Sequence, residues 1–114
     1  MADCLFCAIV AGDVPAQRVA ETARALAFRD INPQAPTHVL IIPRKHIPSL
    51  DDLGEGDAAV LGNVVGRIAD IARRLQLSES GYRVVVNTGE NAGQMVFHVH
   101  FHILGGRNFG WPPG

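Results

Sequence analysis

The chain of 114 residues is poor in the features that mark a membrane or nucleic-acid protein. No apolar run approaches the ~18 residues of a membrane span, and the opening Met-Ala-Asp-Cys-Leu-Phe-Cys has no basic segment followed by an apolar core. These absences predict a cytoplasmic protein with no membrane partner. Lys and Arg number 10 against 11 Asp and Glu, with no block of like charge, so sequence-independent binding to nucleic acid is not expected and any phosphate must be held locally. Repeats and low-complexity segments are missing. Cysteine is scarce: Cys4 and Cys7 are the only two, and in a reducing compartment that spacing reads as metal ligands or free thiols more readily than as a structural disulfide. The 47% of apolar residues suits one compact domain over residues 1–114 and leaves no room for a second core.

What is present follows an α+β order. Cys4 to Ala11 is mostly apolar and stops at Gly12-Asp13, which predicts a short helix. Arg18 to Glu21 and Ala25 to Asp30 predict a hairpin of two strands ending at Asn32-Pro33. Thr37 to Pro43, aliphatic and β-branched, predicts a central strand. From Asp57 to Leu75, Val60, Leu61, Val64, Val65, Ile68, Ile71, Ala72 and Leu75 keep helical spacing. Tyr82 to Asn87 predicts another strand, and a loop from Thr88 to Gln94 leads to a last one. The sheet should be mostly antiparallel.

That last stretch, His98-Val99-His100-Phe101-His102-Ile103-Leu104, holds three of the five histidines at every second position. On a strand the three imidazoles share one face while Val99, Phe101 and Ile103 enter the core. Neighbours on that face stand about 6.7 Å apart along the strand, so the outer two are separated by about 13 Å and cannot all attack one atom. One central reactive group, His100, with differently employed neighbours, fits better. A neutral imidazole is a competent nucleophile at pH 7, and phosphorus is a natural target. An H-x-H pair is also a common way to hold a catalytic zinc, so a metallohydrolase built on His98 and His100 is a rival.

The His-x-His-x-His pattern with apolar x resembles the signature of the histidine triad (HIT) family of nucleotide hydrolases and transferases. The segments Phe28 to His38, Ile42 to Ile47, Asn87-Thr88-Gly89, Gly93-Gln94, Gly105-Gly106-Arg107 and the ending Trp111-Pro112-Pro113-Gly114 resemble its Hint branch, the purine nucleoside phosphoramidases. The likeness implies about five antiparallel strands with one long and one short helix, and a sheet continued across a homodimer in which Phe109 and Trp111 make contacts. It implies AMP or GMP conjugates as substrates. It also implies that His100 is the nucleophile, with His102, His38 and His98 completing the catalytic set. Asn87, Gln94 and the backbone of Gly93 and Val96 would hold phosphate oxygens, Asp30 the ribose hydroxyls. Leu5, Phe6, Ile9, Phe28 and Ile31 would wall the base slot.

Two features stand out against that pattern. Met95 occupies the place between Gln94 and Val96 where the branch commonly has serine; its thioether donates no hydrogen bond, which predicts weaker phosphoramidase activity. Cys4 and Cys7, one helical turn apart, can share a zinc ion, and by resemblance the remaining ligands would be His46 and His98. Such a zinc would be structural; the chemistry itself should need no cofactor. The rivals within this fold are a dinucleoside polyphosphate hydrolase and a non-catalytic nucleotide-binding or interaction protein.

Overall fold

The computed structural model describes residues 3–114. Helix α1 (Leu5–Ala11) is followed by β1 (Arg18–Glu21), β2 (Ala25–Arg29) and β3 (Thr37–Pro43), a single 3-10 turn (Leu50–Asp52), the long helix α2 (Asp57–Arg74), β4 (Tyr82–Val85) and β5 (Phe101–Gly105). The five strands form one antiparallel sheet in the order β1-β2-β3-β5-β4. Among the described residues, no helix is long and apolar enough to cross a membrane.

Alternation along the two inner strands assigns the faces. Ala25 and Ala27 of β2, with Val39 and Ile41 of β3, enter one core beneath α2 together with Leu61, Val64, Ile68 and Ile71. Leu26, Phe28, Leu40 and Ile42 face the other way, into a smaller core with Cys4, Phe6 and Ile9 of the α1 region. The sheet is thus buried on both sides, and the smaller core lies on the face that also carries His38.

Each helix end has an identifiable cause. Cys4 caps α1, its sulfur accepting from the Cys7 N–H, and Gly12 closes it at φ +84°, a conformation that suits glycine. Gly56, at the start of α2, has no side chain to cap with; instead Asp57 accepts from the Gly54 N–H at 2.8 Å and pairs with Lys45.

The sequence expectations need adjustment at several ends. β2 stops at Arg29, β4 stops at Val85, and Leu75 caps α2. The larger difference is in the histidine stretch: β5 begins only at Phe101, so His98 and His100 precede the strand. The Val99 N–H goes to the carbonyl of Ile47 at 2.7 Å, a residue outside every strand. The chain stays extended enough that Val99, Phe101 and Ile103 all reach the α2 core, so the alternation survives where the ladder does not.

Candidate functional site

A cavity of about 390 Å³ opens on the α1 face of the sheet. One wall is apolar, made by Leu5, Phe6 and Ile9 from α1 and Phe28 and Leu40 from the sheet, with Ile31, which is 98% exposed, at the rim. The other side is polar: Asp30, His38, Asn87, His100 and His102, with Gly93, Met95 and Val96 from the loop above.

Hydrogen bonds fix the imidazole tautomers. The Gln34 N–H donates to His38 Nδ1 at 3.0 Å, so a neutral His38 carries its proton on Nε2. That N–H faces His102 Nδ1 at 2.9 Å, which must then accept, leaving the His102 proton on Nε2. Asp30 Oδ2 stands 3.4 Å from the same His38 nitrogen, while its Oδ1 accepts from the Asn32 N–H at 2.8 Å. His100 is set differently: its Nδ1 lies 2.7 Å from the backbone oxygen of His98, which can only accept, so Nδ1 holds the proton and Nε2 keeps its lone pair. Phe6 stands edge-on to the His100 ring at 5.1 Å between centroids, and His102 flanks it at 5.1 Å.

Burial favours the neutral rings of His38 and His102. It is the first cause of the His102 pKa falling to about 4, helped by the neighbouring His100 and His38 and opposed by Asp30. His38 is also lowered by burial, against the pull of Asp30. Asp30, His38 and His102 lie close enough to suggest a metal tripod. The tautomers argue otherwise, because His38 Nε2 is a donor as long as the Gln34 N–H occupies Nδ1. We read the three as a hydrogen-bond chain.

The second cluster has the opposite logic. His98 is fully buried and donates from Nε2 to the carbonyl of Pro43 at 2.8 Å, which leaves its Nδ1 lone pair free. Nδ1 lies 3.4 Å from Cys4 Sγ, 3.6 Å from Cys7 Sγ and 3.3 Å from His46 Nδ1, and Cys7 Sγ lies 3.2 Å from His46 Nδ1. A tetrahedral zinc with ordinary bond lengths separates its ligand atoms by about 3.3–3.8 Å, so the donor set fits that ion. The Pro43 carbonyl is the outer partner that such a histidine ligand needs. Burial, then the neighbouring Cys4, raises the Cys7 thiol pKa, so a metal must expel that proton to bind. Pocket-like space of about 470 Å³, lined in part by Cys4, His46 and Phe97, reaches this cluster and shares Leu5, Met95 and Val96 with the first cavity.

Thirteen of the residues singled out in the sequence therefore line one cavity: Leu5, Phe6, Ile9, Phe28, Asp30, Ile31, His38, Asn87, Gly93, Met95, Val96, His100 and His102. Two do not. His98, expected in the catalytic set as well as among the metal ligands, is turned wholly to the sulfurs and Pro43. Both its nitrogens are engaged away from the cavity, and His100 Nδ1 is taken by the His98 carbonyl, which disfavours a zinc held by the two rings. Gln94, expected at the phosphate, spends its amide internally: Oε1 accepts from the Gly89 N–H, and Nε2 donates to the carbonyls of Pro48 and Val96. It shapes the loop and does not line the cavity. Unforeseen lining residues include Val14, Pro15, Ala16, Gln34 and Leu40. Leu40 was accessible through its alternation with His38; the loop residues carry no chemical signal of their own.

The HIT domain model matches residues 11–109. The chain is 46% identical over 112 residues to a HIT-like protein of Synechocystis, covering 98% of this chain and 97% of that one. It is 42% identical over 106 residues to the purine nucleoside phosphoramidase of Escherichia coli, covering 93% and 89%. The crystal structure of a HIT family hydrolase from Legionella pneumophila superposes with a TM-score of 0.95 at 51% identity, over 98% of this chain and 100% of the other.

Proposed function

The chain belongs to the histidine triad (HIT) family, and from that premise we propose that it is a hydrolase of purine nucleoside phosphoramidates, acting through a nucleotidyl-histidine at His100. The observation that carries this reading is the His100 tautomer, with its proton pinned on Nδ1 by the His98 carbonyl and a lone pair left on Nε2 in a cavity with an apolar wall.

In this mechanism the base lies between Phe6, Ile9 and Phe28, closed by Leu5 and Ile31, and Asp30 accepts from the ribose hydroxyls. His100 Nε2 attacks the α-phosphorus, the P–N bond breaks, and the amine leaves with a proton taken from solvent, which the hydrolytic water returns in the second step. The His102 Nε2–H, Asn87 and the backbone N–H groups of Gly93 and Val96 hold the phosphoryl oxygens where negative charge gathers. Water then displaces the imidazole, releasing the nucleoside monophosphate and neutral His100. Cys4, Cys7, His46 and His98 would hold a zinc ion that ties α1 to the sheet and takes no part in the bond-making steps. The sheet continues through an open edge into a second copy of the chain, making a homodimer, and a reducing cytoplasm suits the two thiols.

Intact-mass analysis after rapid quenching with adenosine phosphoramidate tests the reading. One nucleotidyl adduct on the wild type, absent from His100→Ala, is expected. Met95, 88% exposed at the cavity and without a donor, favours a second reading as a nucleotide-binding protein without turnover; AMP binding with neither adduct nor hydrolysis would establish that instead.

A further inference from the structure

His98 is shared between the two clusters. Its ring offers Nδ1 to Cys4, Cys7 and His46, while its backbone oxygen holds the Nδ1–H of His100 at 2.7 Å. Helix α1 is shared too. It has only seven residues, too few to be stable alone, so its place depends on its anchors. Those are a hydrogen bond from Arg18 to the Ile9 carbonyl at 2.8 Å, the packing of Phe6 and Ile9, and the contacts of Cys4 and Cys7. Between the two cysteines stands Phe6, edge-on to Phe28 at 5.4 Å and to His100 at 5.1 Å. The residues that ligate and the residues that line the cavity therefore alternate along one turn of helix.

We propose that the Cys4-Cys7-His46-His98 cluster is a positioning site for His100 and the base slot, so that a zinc-class dication and a purine nucleotide each tighten the binding of the other. This rests on the reading of the first cavity as a nucleotide site. Without the dication, His98 Nδ1 is held only through weak S–H donors and a neighbouring imidazole. With it, the ring is fixed on both nitrogens, its backbone oxygen is fixed with it, and His100 is kept in the tautomer with a free Nε2. From the other side, a base packed on Phe6 settles α1 and brings both sulfurs into the ligand geometry. Linkage makes the two effects equal.

The test is the AMP dissociation constant of zinc-loaded and zinc-stripped protein by calorimetry, beside the zinc dissociation constant against a chromophoric chelator with and without AMP. We expect loaded protein to bind AMP about tenfold tighter and AMP to tighten zinc by the same factor. Nitrogen-15 shifts should show one His100 tautomer in the loaded form and a mixture in the stripped one. Equal AMP affinity in both forms, with an unchanged tautomer, overturns the coupling and leaves nucleotide binding intact. Failure of AMP to bind the loaded protein overturns the nucleotide reading itself, and with it the coupling. If stripped protein does not fold, cobalt(II)-loaded protein decides: saturating AMP should shift the ligand-field bands of the wild type and shift them less in Phe6→Leu. Bands indifferent to bound AMP overturn the proposal.

Discussion

At His38 and His102 burial outweighs the nearby Asp30 carboxylate, so the folded protein favours neutral rings, whereas an unfolded imidazole titrates near 6.5. Between about pH 4, where folded His102 titrates, and about 6.5 the unfolded chain binds more protons, and stability must rise with pH across that window. The contribution is fully present above about 6.5 and lost as pH falls toward 4. Urea midpoints should therefore drop from pH 7 to pH 5, and drop less in His102→Gln; identical slopes for the two proteins would contradict the depressed pKa. Met95 gives a second prediction at this scale. Met95→Ser restores a hydroxyl at the cavity, and one hydrogen bond to a developing charge, about 1.5 kcal/mol, raises kcat/KM on adenosine phosphoramidate about tenfold. An unchanged rate removes Met95 from the chemistry. Of the thirteen cavity-lining residues, His100 and His102 were marked by the alternating histidines, and the rest came with the HIT resemblance, because apolar walls and loop positions carry no chemical signal of their own. The internal partners of the Gln94 amide were not legible, because they depend on the loop's conformation, which no spacing encodes.

The helices and the central strand were read nearly to the residue: α2 carries a long amphipathic period, and β3 is bounded by Pro36 and Pro43. The short β5 was not legible, since the Val99 N–H leaves the ladder for Ile47 and alternation of side chains continues regardless. The turn after β5 shows the same limit. Gly106 has φ +92°, and a Cβ there would meet Pro36 Cβ at 2.9 Å, so the proline ring packs where a side chain would stand. Gly106→Ala should lower unfolding free energy by about 2 kcal/mol, from left-handed strain plus the displaced proline. Denaturant unfolding of the folded variant checks it, and a loss under ~0.5 kcal/mol would show that the turn relaxes freely.

Across the whole molecule the strand order was beyond the residues alone, because β5 shows the same alternation whether its neighbours are β3 and β4 or any other pair. The HIT resemblance carried the five-stranded antiparallel architecture, and the sheet has it. The cluster of sulfurs and imidazoles makes a prediction at this scale: chelation of bound zinc should lower the thermal midpoint by several degrees, since a ligand that binds only the native chain stabilises it by mass action. A midpoint unmoved by chelator, in protein shown to hold zinc beforehand, would leave the metal without a structural role. Cys4 and His98 are 94 positions apart, and His46 comes from a third segment. A chain still being assembled holds only the two thiols together, a poor chelate, and they stay open to alkylating reagents. The four donors of the proposed zinc site meet only when all three segments have arrived, so Cys4 and Cys7 should become shielded from alkylation late in refolding.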